Sequence, residues 1–298
     1  MSKSAILSSS IAKKWWMALT GLFLCLFLVG HLLGNLQLIF INGEEGKLAF
    51  NEYAYFMTHN IFIKVLSYVT YASILFHAVD GIMLAIQNKK ARPIKYAHNK
   101  PGTNSSGASR SMAILGSAIM IFIVIHMSNF WGVMHFGSIP LHKVTLEISG
   151  AEGPSSEQVY ITHDDGKVLP VRSFENSAMG EAQYEIRNQT EFYASQVDLK
   201  MGEGYKDLHS LTLAFFGVDR TKDAGMEANK YALVAVILYV LAMLVLCFHL
   251  WHGFASAFQS LGVNHKNITP TIQLAGKVFS VLVPLGFAII PLLLYYNR

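Results

Sequence analysis

The sequence predicts an all-α membrane protein with five transmembrane helices and one long extracytoplasmic insertion containing strands. Three observations carry that prediction. Hydrophobic residues make up 52% of the 298-residue chain and charged residues 14%, and the mean hydropathy is +0.37, whereas soluble domains carry about 25% charge. Apolar runs at 15–41, 61–86, 111–136, 230–259 and 272–296 are each long enough to cross a hydrocarbon layer of about 30 Å as a helix rising about 1.5 Å per residue. The polar residues gather in one stretch, which divides the chain into 1–136 with helices one to three, the insertion 137–229, and 230–298 with helices four and five.

Each element has its own signal. Met1–Lys14 is polar and basic, but the apolar run behind it reaches about 27 residues, beyond the 7–15 of a signal-peptide core. No convincing small-residue cleavage site follows, so the first helix reads as retained. Trp15 and Trp16, next to Lys13 and Lys14, form an interfacial anchor of aromatic and basic side chains. The short stretch 42–60 reads as a connection. Within 137–229, Lys143–Ile148, Gln158–Thr162 and Val168–Val171 alternate like strands around His163-Asp164-Asp165-Gly166, where Asp-Gly suits a tight hairpin turn. Pro284 and Pro291 predict that helix five is bent and packs on the outside of the bundle.

Charge sets the orientation. The N-terminus and the connections 87–110 and 260–271 hold ten lysines and arginines (three, six and one) and no carboxylate, while 42–60 sets Lys47 against Glu44, Glu45 and Glu52. The positive-inside rule places the N-terminus in the cytoplasm, and five crossings then place the C-terminus outside. In a bacterium this is a multi-pass protein of the inner membrane, surrounded by lipid. The net charge of +4 reflects this asymmetry and gives no reason to expect a nucleic-acid partner. Cys25 and Cys247 both lie inside spans, which leaves no disulfide framework and no multi-cysteine metal site.

Four spans carry one deep histidine each: His31, His77, His126 and His249. His31 lies 16 residues in from Trp15 and His126 lies 15 in from Ser111, both about 23 Å above the cytoplasmic edge. His77 lies 16 in from Ile61 and His249 lies 19 in from Lys230, counted from the outside. The histidines therefore sort into an outer layer (His31, His126) and an inner layer (His77, His249), roughly 15–20 Å apart. Ionisable groups at membrane depth are costly and mark function. Two opposed imidazoles per layer suit two haem b groups, each with both axial positions filled by nitrogen, which favours electron transfer over oxygen binding. The first four helices then form a haem-binding bundle. Gly81 and Gly253 each follow an inner-layer histidine by four residues on the same helical face, where a missing side chain lets a flat macrocycle lie close. Hydrogen-bonded structural histidines are the plainer alternative, and zinc lacks further ligands in the outer layer.

Around the four histidines run Leu28-Val29-Gly30-His31-Leu32, Leu75-Phe76-His77-Ala78, Phe122-Ile123-Val124-Ile125-His126 and His249-Leu250-Trp251-His252-Gly253-Phe254, continuing to Ser256-Ala257-Phe258-Gln259-Ser260-Leu261-Gly262. Taken together they resemble the single-chain, two-haem, five-helix cytochrome b membrane anchor of succinate dehydrogenase and fumarate reductase. The resemblance covers helices one to four, departs in the long segment between helices three and four, and returns at Asp207–Phe216. The additional residues thus fall within about 143–205, and the family says nothing of their role.

The resemblance implies a flavoprotein subunit and an iron–sulfur subunit on the cytoplasmic side, with electrons passing through the inner and outer haems to or from a quinone, menaquinone by family expectation. The chain itself carries no dicarboxylate site, nucleotide fingerprint or cluster-binding cysteines. His249 is the expected helix-four ligand. His252, three residues on, is the alternative ligand or a contact to a haem propionate. Glu52, with Asn51 beside it, is the candidate proton group for the quinone, and Asp80, one turn past His77, is a second protonatable group. Lys89, Lys90, Arg92 and Lys95 are candidates for docking the partner subunit. His59, His98, His135, His142, His163, His209 and His265 fall in connections or near ends and are expected to be solvated. The rival readings are the cytochrome b subunit of a hydrogenase or formate dehydrogenase and a haem-free transporter.

Overall fold

A computed structural model describes residues 9–41, 43–91, 103, 106–150, 153–176 and 180–297. Arg92, Lys95 and His98 lie outside these residues. Five helical stretches are long and apolar enough to cross a membrane: Ile11–Phe40, Ile61–Lys90, Met112–Phe136, Ala232–Ser260 and Thr269–Tyr296. Their surfaces are inverted relative to a soluble protein, with Leu26, Phe62, Ile114 and Leu274 each more than 60% exposed. Apolar side chains turned outward on this scale belong in lipid.

In chain order the helices are α1 (Ser10–Phe40), α2 (Gly43–His59), α3 (Ile61–Lys90), the short α4 (Gly107–Arg110), α5 (Met112–Met127), α6 (Val133–Phe136), α7 (Leu208–Phe215), α8 (Ala232–Ser260) and α9 (Thr269–Tyr296). A π turn at Ser128–Gly132 joins α5 to α6 and begins two residues after His126. The extra residue in such a turn re-aims the side chains that follow it. Helix α3 runs past the expected end at 86 to Lys89 and Lys90, whose positive charges favour a last turn.

The chain divides into two compact units. The first comprises Met1–Asn35, Ile61–His126 and Val236–Leu292. Its core joins Cys25 of α1 with Met243, Leu246 and Leu250 of α8 and Ala288 of α9, and Phe122, Phe254, Phe279 and Phe287 pack on that cluster. Helix α9 is therefore part of the packed bundle rather than an outer addition. Glycines explain its close approach: a Cβ on Gly276 would stand 2.8 Å from Phe254, and one on Gly286 would stand 2.9 Å from Leu32. Without a solvent-driven hydrophobic force between helices in lipid, small residues that admit close packing hold such interfaces.

The second unit comprises Leu36–Asn60, Met127–Ala235 and Leu293–Arg298. The stretch 42–60 is not a plain connection but largely the helix α2. Glu44 and Glu45 sit in its first turn and His59 in its last, both favourable to the helix dipole, and Gly46, Phe50 and Asn51 are buried.

Segment 137–229 contains two antiparallel three-stranded sheets. The strands β1 (Val144–Gly150), β2 (Gly153–Ile161) and β3 (Val168–Pro170) follow the alternation read from the sequence. Gly166, at φ +66°, closes the β2–β3 turn where Asp-Gly was expected. The strands β4 (Tyr184–Arg187), β5 (Glu191–Ala194) and β6 (Leu199–Glu203) form a second sheet with no counterpart in the sequence reading. Short strands rich in charge leave little periodicity to detect. Leu141, Tyr160, Leu169 and Phe192 pack into one core across both sheets, so this part is folded rather than a loose loop.

Candidate functional site

The first unit brings the four deep histidines together as two pairs. His31 of α1 faces His126 of α5 with ring centres 5.8 Å apart and planes at 83°. His77 of α3 faces His249 of α8 at 6.2 Å and 73°. The first and third spans (α1 and α5) supply one pair and the second and fourth spans (α3 and α8) the other, the combination that counting depth along each span predicts.

Hydrogen bonds orient the rings. His77 Nδ1 lies 3.1 Å from the Met17 carbonyl oxygen, an acceptor only, so Nδ1 carries the proton and donates. The lone pair is thereby left on Nε2. The Thr20 hydroxyl stands 3.4 Å from the same nitrogen. His126 Nδ1 lies 3.1 Å from the Tyr239 hydroxyl. Asn35 donates at 2.8 Å to the His31 carbonyl, which turns its amide nitrogen towards His31 Nδ1 at 3.5 Å. The buried His249 Nδ1 has no hydrogen-bond partner. Phe27 stacks on His31 at 5.4 Å, Phe122 stacks on His126 at 5.7 Å, and Phe287 reaches His31 from α9 at 5.6 Å.

Two glycines that the sequence reading missed make room for the second pair. A Cβ on Gly21 would stand 3.0 Å from His77 Cε1, and one on Gly116 would stand 3.5 Å from His249 Cε1. Gly21 precedes His31 by ten residues on α1, and Gly116 precedes His126 by ten on α5. Ten residues of helix rise about 15 Å. Each of these helices thus gives a histidine to one pair and a space to the other, and that repeated Gly-to-His interval was the available signal. Of the glycines singled out from the sequence, a Cβ on Gly81 would meet nothing within 4 Å and one on Gly253 only the Met112 methyl at 3.7 Å. His252 does not join the pair: its Nε2 lies 3.1 Å from the Ser256 hydroxyl, one turn along α8. Asp80 is half-buried on α3.

Titratable groups also gather in the second unit. Glu52 is exposed on α2, and the Tyr205 hydroxyl donates to its carboxylate; burial first and then that negative charge push the Tyr205 phenol up. Tyr55 donates to Glu203 at 3.1 Å, and burial with the neighbouring carboxylate raises its pKa to about 12. Beneath them lies a buried network. Lys47 pairs with Asp207 at 3.1 Å. Asn51 donates to Asp207 at 3.0 Å, and its amide nitrogen lies 2.8 Å from His142 Nδ1. The His209 backbone N–H donates to the Asn51 carbonyl oxygen at 2.9 Å, and Asp207 caps α7 by accepting from the Ser210 N–H.

Burial opposes ionisation of Asp207, but Lys47 and three hydrogen bonds outweigh it and hold the carboxyl below its usual range. Burial, with Lys47 adding to it, pushes His142 down to about 4. His142 and His209, expected to be solvated, are buried, because the chain from Ile139 and the helix α7 fold onto α2. His59, His135, His163 and His265 are exposed, as are Lys89 and Lys90 at the end of α3.

Among the described residues no group of three or more His, Cys, Asp or Glu side chains is arranged to hold a metal ion. Comparison of the chain with protein-family models, with curated proteins and with solved structures returns no match.

Proposed function

We propose that this chain is the di-haem cytochrome b membrane anchor of a succinate dehydrogenase or fumarate reductase. On this reading it lies in a bacterial inner membrane with the N-terminus in the cytoplasm, carries flavoprotein and iron–sulfur subunits on the cytoplasmic face, and uses a quinone as substrate. The observation that carries the proposal is the pair of opposed histidines at 5.8 and 6.2 Å. His31 and His126 would hold one haem iron and His77 and His249 the other, each pair giving two imidazole nitrogens. Among the described residues each pair offers two nitrogens and no third protein ligand, the donor set of a macrocycle-bound iron rather than of a bare ion.

Three features of the chain support the fit. The proton on His77 Nδ1 leaves Nε2 free as a ligand, in line with the general pattern by which a second hydrogen bond fixes the tautomer of a ligating imidazole. Gly21 and Gly116 keep side chains off the His77–His249 pair. The His249 Nδ1 atom, buried and without a hydrogen-bond partner among the described residues, is costly in lipid unless a ligand employs the ring. Bound at the two pairs, the haems would supply one-electron transfer at two depths of the membrane.

The protein's part is to hold four neutral imidazoles in opposed pairs, to exclude water with Phe27, Phe122 and Phe287, and to deliver protons where the quinone reacts. Glu52 is the proposed proton group on the outer side, and Tyr205 orients its carboxylate. The test is an air-oxidised and dithionite-reduced visible spectrum of the detergent-purified protein with haem counted per chain. About two low-spin b haems per chain are expected. Haem-free protein, folded and produced with ample haem, overturns the proposal and points to a transporter.

A further inference from the structure

The histidines differ in what their second nitrogen meets. His77 Nδ1 faces a backbone carbonyl, His249 Nδ1 has no partner, and the Asn35 amide beside His31 is turned donor-first. His126 Nδ1 lies 3.1 Å from the Tyr239 hydroxyl, whereas at His77 the Thr20 hydroxyl stands farther off at 3.4 Å and the Met17 carbonyl takes the proton. Tyr239 is held there: Phe122 meets its ring edge-on at 4.9 Å and also stacks on His126 at 5.7 Å. Tyr239 precedes His249 by ten residues on α8, so one helix presents an imidazole to one pair and a phenol to the other, about 15 Å along.

We propose that Tyr239 is a positioning residue that sets the redox poise of the haem held by His31 and His126, an inference that rests on the haem reading above. With Nε2 of His126 on the iron, Nδ1 keeps its proton and donates to the phenol oxygen. An acceptor there draws electron density into the imidazole and makes it a stronger donor to the metal. Stronger donation favours ferric over ferrous iron, so the hydrogen bond lowers the midpoint potential of this haem and leaves the other unaffected.

The experiment is a potentiometric titration of the purified holoprotein, followed in the visible spectrum, for wild type, Tyr239→Phe and Tyr68→Phe, with haem counted in each sample. Tyr239→Phe is expected to keep about two haems per chain, to raise the midpoint of one haem and to leave the other in place. It should also shift one of the two low-spin ferric signals in electron paramagnetic resonance. Tyr68→Phe, which removes an exposed phenol on α3, is expected to leave both midpoints unmoved. Unmoved midpoints in Tyr239→Phe, loss of a haem from it, or an equal rise in Tyr68→Phe overturns the assignment. Wild-type protein without haem overturns the proposed function instead, and is seen before any variant is made.

Discussion

Lys47 and Asp207 form an ion pair of 3.1 Å in which the carboxylate is wholly buried and the lysine side chain is 13% exposed. The pair ties α2, between the first two spans, to the start of α7, near the end of segment 137–229. Asn51, His142 and the first turn of α7 complete the network. Removing one partner of a buried pair strands the other charge, which costs about 3–5 kcal/mol. Lys47→Met is therefore expected to lower the unfolding temperature of this unit and expose segment 137–229 to protease, and Lys47→Met with Asp207→Asn should recover part of the loss. Limited proteolysis and thermal melting of the purified protein measure both.

The same network makes this unit acid-sensitive. His142 has a folded pKa of about 4 because burial and Lys47 disfavour its charged form, against about 6.5 in an unfolded chain. A depressed histidine binds more protons unfolded than folded, so stability is full above about 6.5 and falls as pH drops towards 4. The loss over that window is roughly 3 kcal/mol for one group. Asp207, facing His142 together with Lys47 and His209, is held below its usual range and adds a further loss only at still lower pH. Melting the unit at pH 7.5 and pH 5 should show the drop, and His142→Gln should flatten it.

Haem retention is expected to follow the pairing. Alanine at His31, His77, His126 or His249 should each reduce the haem count from about two to about one per chain, since a bis-imidazole iron needs both nitrogens. His252→Ala, which removes a contact to Ser256 one turn along α8, should keep both. Pyridine haemochrome analysis decides between them.

Glycine substitutions separate protein packing from packing against a bound group. A Cβ on Gly21 already approaches His77 at 3.0 Å, so Gly21→Leu should displace that ring and lose the haem of the His77–His249 pair. Gly81→Leu meets no protein atom near its Cβ and should leave helix content unchanged, or slightly raised by better helix propensity. A fall in haem content in Gly81→Leu, seen in the reduced spectrum, is the expected sign that the macrocycle lies against this face.

Glu52→Gln removes the proposed proton group while preserving its size. Loss of general acid–base assistance typically lowers a rate by about 10²–10⁴-fold, so quinone-linked turnover of the assembled complex should fall steeply while the haem count stays the same. Glu44→Gln, in the first turn of the same helix, should leave turnover unchanged. Assays with quinone and with a water-soluble acceptor distinguish the quinone site from the rest of the complex.

The parts legible in the sequence were those governed by local rules. Five spans stand out because hydrocarbon accepts only long apolar helices with satisfied backbones. The histidine pairing could be counted because a helix rises by a constant amount per residue. Strands β1 to β3 alternate visibly, and the Asp-Gly turn marks its own backbone conformation. The second sheet and α2 were not legible, since their short, charged stretches fold only where Phe192 and Asn51 find a core contributed by distant residues.

By itself, then, the sequence determined the membrane character, the number of spans, and the helix on which each of the four histidines stands, because each follows from counting along one segment. Only the tertiary structure decided that Gly21 and Gly116 stand against His77 and His249, that Tyr239 meets His126, that α9 sends Phe287 to His31, and that His142 and Asp207 are buried around Lys47. Those are contacts between segments far apart in the chain, chosen by close packing and by the cost of leaving a polar group unpaired away from water, and counting along one segment does not select them.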